Sequence, residues 1–70
     1  MGLEAFRKRI AEMACGRRHA AGVEYFMPEG TENWTAWISA VGYMRGYSAE
    51  ECIDEMCVAL GIPRDSEVAA

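Results

Sequence analysis

Residues 31–47 read Thr31-Glu32-Asn33-Trp34-Thr35-Ala36-Trp37-Ile38-Ser39-Ala40-Val41-Gly42-Tyr43-Met44-Arg45-Gly46-Tyr47, and the period assigned to them decides the fold. Trp34, Trp37, Ile38, Val41 and Met44 recur at steps of three and four, the apolar stripe of a helix. Thr31 supplies an N-cap and Glu32 an acidic first turn. Ala36 and Ala40 are small enough to let another helix approach, and Gly46 suits the stop. The reading predicts a second helix over this stretch.

Working outward, Gly46-Tyr47 leaves only a brief link to the strongest local signal in the chain. Ser48-Ala49-Glu50-Glu51 is a capping box, with Tyr47 and Cys52 at the positions of a hydrophobic staple. Ile53, Met56, Cys57 and Leu60 form the buried stripe of a third helix, which Gly61, Ile62 and Pro63 terminate. On the other side, Leu3, Phe6, Ile10 and Met13 define a first helix from about Leu3 to Ala14, with Gly22 as a later stop signal. Val23–Met27 is β-branched and aromatic, and Pro28 pushes Met27 into extended backbone before a Glu29-Gly30 turn. This is read as an extended connector. The second choice, a short strand, would find a partner only in a dimer. The expected fold is all-α: one three-helix domain over residues 1–70, an extended connector between helices 1 and 2, and residues 63–70 as a frayed tail or one short turn.

The chain has 70 residues, 51% hydrophobic, 26% charged and 10% aromatic, a mix that excludes disorder and low complexity. No apolar run approaches the ~20 residues of a membrane helix. Arg7, Lys8, Arg9 and Glu12 break any early apolar segment, so no secretory signal is expected. Three cysteines cannot all pair within one chain, and a reducing cytoplasm with free thiols is the simplest setting.

The net charge of −4 is unevenly placed. In residues 1–22, Arg7, Lys8, Arg9, Arg17 and Arg18 outweigh Glu4 and Glu12. In residues 23–70, nine acids outweigh Arg45 and Arg64. Opposite faces of opposite sign are either neighbours within the fold or two interaction surfaces.

Chemistry finds little support. Cys15 and His19 lie at i,i+4, but Cys52 and Cys57 are five apart and turn away from each other on a helix, so no zinc site is expected. His19 has no group to orient it as a base for a nucleophilic thiol. Glu50, Glu51, Asp54 and Glu55 pair at helical spacing, yet acid–base work needs burial to split their pKa values. No phosphate loop occurs. Neither a cofactor nor a metal is called for, and the chain is not expected to be an enzyme.

Binding is left. Residues 55–68 resemble the middle of a helix-turn-helix through Leu60-Gly61-Ile62 and Val68. That resemblance would imply DNA reading by a following helix. Only about seven residues could form it, however, and Asp65 and Glu67 would repel phosphate. Six aromatic residues, Tyr25, Phe26, Trp34, Trp37, Tyr43 and Tyr47, fall within one short span, more than three helices can bury. Both tryptophans are expected to anchor the core, leaving Tyr25, Phe26 and Tyr43 as docking anchors. The expected function is a non-catalytic protein-binding module, a small helical regulator or inhibitor of viral or mobile-element type. It would meet a larger protein or ribonucleoprotein through Glu50, Glu51, Asp54, Glu55, Tyr25, Phe26 and Tyr43. A homo-oligomer through the helix 2 face is compatible with this. The alternative is a nucleic-acid or ribonucleoprotein binder using Arg7, Lys8, Arg9, Arg17 and Arg18.

Overall fold

The computed structural model describes residues 1–26 and 33–68. Its elements run α1 (Leu3–Cys15), β1 (Ala21–Phe26), β2 (Asn33–Ile38), β3 (Gly42–Gly46), α2 (Ala49–Leu60) and α3 (Asp65–Val68). The three strands form one antiparallel sheet in the order β1-β2-β3. The fold is α+β, and the all-α expectation is wrong at its centre. Residues 33–46 are a β-hairpin instead of a helix, and the supposed connector is the strand β1. Residues 27–32, with the expected Glu29-Gly30 turn, the Thr31 cap and Glu32, lie outside the described residues.

The physical reason lies in Trp34-Thr35-Ala36-Trp37-Ile38. A helical stripe puts Trp34 and Trp37 on one side, whereas a strand alternates sides at every residue. Here Trp34, Ala36 and Ile38 face the helices and are buried, while Thr35 and Trp37 face away. Both periods fit the apolar positions, but β-branched and aromatic side chains pack better on a pleated surface. The next three residues, Ser39-Ala40-Val41, make the turn, and Gly42 closes it: Val41 N donates to Ile38 O at 3.0 Å, and Gly42 sits at φ 87°. Three-residue hairpin loops end in such a left-handed residue, which glycine adopts without steric cost.

Both outer helices follow the sequence closely. Helix α1 buries Phe6, Ile10, Met13 and Ala14, one stripe of the cylinder. Helix α2 starts at a working cap, Ser48 Oγ accepting from Glu51 N at 3.1 Å, and buries Ala49, Cys52, Ile53, Met56 and Cys57. Gly61 closes it at φ 74°, with Ile62 N donating back to Cys57 O at 3.0 Å. Tyr47 stands 78% exposed, so it does not staple onto Cys52. The two helices lie on one face of the sheet. Phe6 meets Trp34 edge-on at 5.2 Å, and Tyr25 tilts against Trp34 at 4.6 Å.

Part of the expected tail is ordered as α3. Arg9 holds it through a two-point bond, Nε to Asp65 Oδ2 at 2.8 Å and Nη2 to Asp65 Oδ1 at 2.7 Å. Asp54 also accepts from Ser66 N at 3.4 Å and Ser66 Oγ at 2.8 Å. The Arg9 guanidinium holds the Asp65 carboxyl below its ordinary range. A carboxylate with a lowered folded pKa stabilises above its unfolded value and loses that contribution as pH falls through the folded one. Both side chains are about one-third exposed, which screens the pair. Asp65→Asn should therefore cost about 0.5–1 kcal/mol at neutral pH and almost nothing near pH 2. Urea denaturation of both proteins at the two pH values checks this, and a cost that persists in acid would refute the pairing.

Candidate protein-docking surface

With α1 and α2 on one side, none of the described helices lies over the other face of the sheet. The register defines what stands there. Gly22, Trp37 and Tyr43 lie side by side across the three strands, and Glu24, Thr35 and Arg45 form the next row. Asn33 extends the face on β2. Trp37 is half-buried and Tyr43 is 59% exposed.

Three local features shape this face. Gly22 leaves a gap that the Trp37 ring fills: a Cβ on Gly22 would come within 2.6 Å of Trp37 Cε2 and Nε1. The indole thus lies down against β1. Second, Tyr43 Oη donates to Glu24 Oε1 at 3.3 Å, a diagonal bridge from β3 to β1 that crosses β2 between Thr35 and Trp37. Third, Thr35 is buried among these neighbours at 2% exposure, and its Oγ1 has no hydrogen-bond partner. Leaving such a hydroxyl unmatched costs about 1–3 kcal/mol, an unusual feature for a solvent-side strand position. Arg45 is exposed and forms no ion pair among the described residues.

The residues singled out from sequence are dispersed. Glu50, Glu51 and Glu55 stand exposed on the outer side of α2, and Asp54 is engaged with Ser66. Glu50 meets the amino group of Met1 at 3.2 Å. These acids belong to the helical layer, across the sheet from Tyr43. Tyr25 is on the helix side against Trp34, and the Phe26 side chain lies outside the described residues. The basic set divides as well. Arg7 and Lys8 are exposed on α1, Arg9 is bound to Asp65, and Arg17 Nη1 donates to Met13 O at 3.0 Å. Arg18 sits in the turn after α1 with φ 59°. In the helix-turn-helix-like segment, α3 is four residues long, with Asp65 paired to Arg9 and Glu67 to Arg64.

The thiols and groove bear on chemistry. Burial pushes the Cys52 thiol up to about 11, and burial followed by Asp65 raises Cys57, so neither is a ready nucleophile at neutral pH. Cys15 is exposed. Among the described residues no three His, Cys, Asp or Glu side chains gather around one point. A groove of about 210 Å³ runs between α1 and β1, lined by Arg7, Ile10, Ala11, Ala21, Gly22 and Val23. None of the described helices is long and apolar enough to cross a membrane.

Sequence reasoning missed Trp37 and Glu24 as surface partners because it placed Trp37 on a helix stripe. The signal that was present is the alternation of Trp34, Ala36 and Ile38 with Thr35 and Trp37, opposite a glycine at position 22. Comparison with protein-family models, with curated proteins and with solved structures finds no match. The functional reading therefore rests on this face alone.

Proposed function

We propose that the chain is a non-catalytic protein-binding module, a small regulator or inhibitor that docks on a larger protein through the open face of its sheet. One observation carries the reading: Trp37 and Tyr43 are register partners on the face that none of the described helices covers, flanked by Glu24 and Arg45. Trp, Tyr and Arg are the residues that dominate binding hot spots. The charges flanking the pair cancel, which favours a protein surface over a polyphosphate backbone, since nucleic acid needs a cationic excess at the contact. The matching partner surface is apolar at its centre with both signs of charge at its edge. A reducing, cytoplasmic setting goes with this reading, on the strength of three free thiols.

The test starts with cross-linking and mass spectrometry to identify a partner, followed by affinity measurements on purified components. Trp37→Ala and Tyr43→Ala should each weaken binding by about 30-fold, the ~2 kcal/mol of a hot-spot side chain. Glu51→Ala, on the helical side, should change it less than about threefold. Circular dichroism confirms that the variants stay folded. Unchanged affinity in both aromatic variants refutes the proposed surface. So does micromolar binding of a single-stranded oligonucleotide that the same variants abolish, because the occupant would then be nucleic acid.

A further inference from the structure

We infer that β1 is a self-pairing edge: two copies of the chain join antiparallel along β1, about a two-fold axis at Val23, to make one continuous six-stranded sheet. This stands apart from the docking face, which uses the surface of the sheet and leaves its edge free.

The backbone phase comes first. Ser39 N donates to Ala20 O at 2.8 Å, one step beyond the register pair Ala21–Ile38. Hydrogen-bonded pairs alternate along an antiparallel ladder. Ala20, Gly22 and Glu24 therefore turn their N–H and C=O groups toward β2. Ala21, Val23 and Tyr25 turn theirs outward, and β1 ends the sheet. No described strand takes up those groups. Natural edges are blunted by lysine, proline, a bulge or short length. The stretch Ala21-Gly22-Val23-Glu24-Tyr25 has no lysine, proline or bulge, its register is unbroken, and its one charge, Glu24, is drawn across the sheet face by Tyr43. The opposite edge differs: on β3 only Tyr43 and Arg45 point outward, and Arg45 places a cation there.

The side chains then select the occupant. In a two-fold pairing at Val23, residue i meets residue j and j meets i. Val23 meets Val23 of the second copy. Ala21 meets Tyr25 of the second copy, and Gly22 meets Glu24 of the second copy. Small stands opposite large on either side of the Val23 pair, and the two Glu24 carboxylates never oppose each other. On the helix side, Tyr25 of the second copy stands beside the groove between α1 and β1, against Ala21 and within reach of Arg7 and Ile10. The groove is about 210 Å³, suited to an aromatic ring edge. The axis is perpendicular to the sheet, so both open faces point the same way and the dimer presents two docking surfaces to one side.

Light scattering over a concentration series, together with amide hydrogen exchange by NMR, tests this. The mass should rise from 7.8 kDa to twice that value. The amides of Ala21, Val23 and Tyr25 should gain protection as it does, while Gly22 and Glu24 stay protected throughout. Val23→Pro removes one outward N–H without touching the ladder to β2, so it should give a folded monomer. If that variant fails to fold, the alternating exchange pattern decides. A monomer at millimolar concentration overturns the inference. So does a dimer that persists in Val23→Pro, one whose Ala21, Val23 and Tyr25 amides exchange freely, or one lost in Trp37→Ala and Tyr43→Ala.

Discussion

Gly46→Ala should lower stability by about 3 kcal/mol, the upper end of the cost of an overpacked site. A Cβ at Gly46 would lie 2.5 Å from Cys52 N and 3.0 Å from both Cys52 Cα and Glu51 C. All three are backbone atoms of the first turn of α2, which cannot swing aside as a side-chain tip would. That turn is fixed at its start, because Ser48 Oγ receives Glu51 N and Ser48 O receives Cys52 N at 3.0 Å. Relief requires the helix to lift from β3, which opens the packing of Cys52, Ile53 and Met56 together. The usual benefit of alanine over glycine in a strand, about 0.5–1 kcal/mol, is too small to offset this. Urea denaturation gives the answer directly. An unchanged midpoint would mean that α2 does not rest on Gly46.

Phe6→Ala is expected to cost about 3–5 kcal/mol, as large-to-small changes of buried aromatic residues do. Phe6 is fully buried and packs edge-on against Trp34, the contact that ties α1 to the middle strand. Removing the ring takes away its own burial and leaves Trp34 without a wall on that side. A 70-residue domain has about 4–10 kcal/mol of stability in total, so the variant should be largely unfolded at modest temperature. Its near-ultraviolet circular dichroism, which reports the fixed setting of Trp34, should collapse. Tyr47→Ala serves as the control. Tyr47 is 78% exposed, and its loss should change stability by less than about 0.5 kcal/mol. Retention of most of the stability in Phe6→Ala would show that α1 is not anchored through this contact.

The two predictions differ in how visible their causes are in the sequence. Phe6 belongs to an i, i+4, i+7 stripe that is readable at once. Gly46 looks like a helix stop because it follows an apolar run of helical period. Its real role is to let the start of α2 approach a strand, and nothing local records the presence of that neighbour. The docking face shows the same division. Tyr43 was chosen as an exposed aromatic, and it is exposed. Trp37 was assigned to the core with Trp34, because three residues apart means the same side on a helix and opposite sides on a strand.

The sequence by itself determined the two amphipathic helices and their ends. Caps, glycine stops and a 3.6-residue stripe are local codes, carried by residues within one turn of each other. Only the tertiary structure decided that residues 33–46 pair as a hairpin, which side of the sheet the helices cover, and hence which aromatic residues remain outside. Those outcomes depend on hydrogen bonds and burial between segments far apart in the chain. A run such as Trp34–Met44 satisfies both periods until a neighbouring strand accepts its backbone groups.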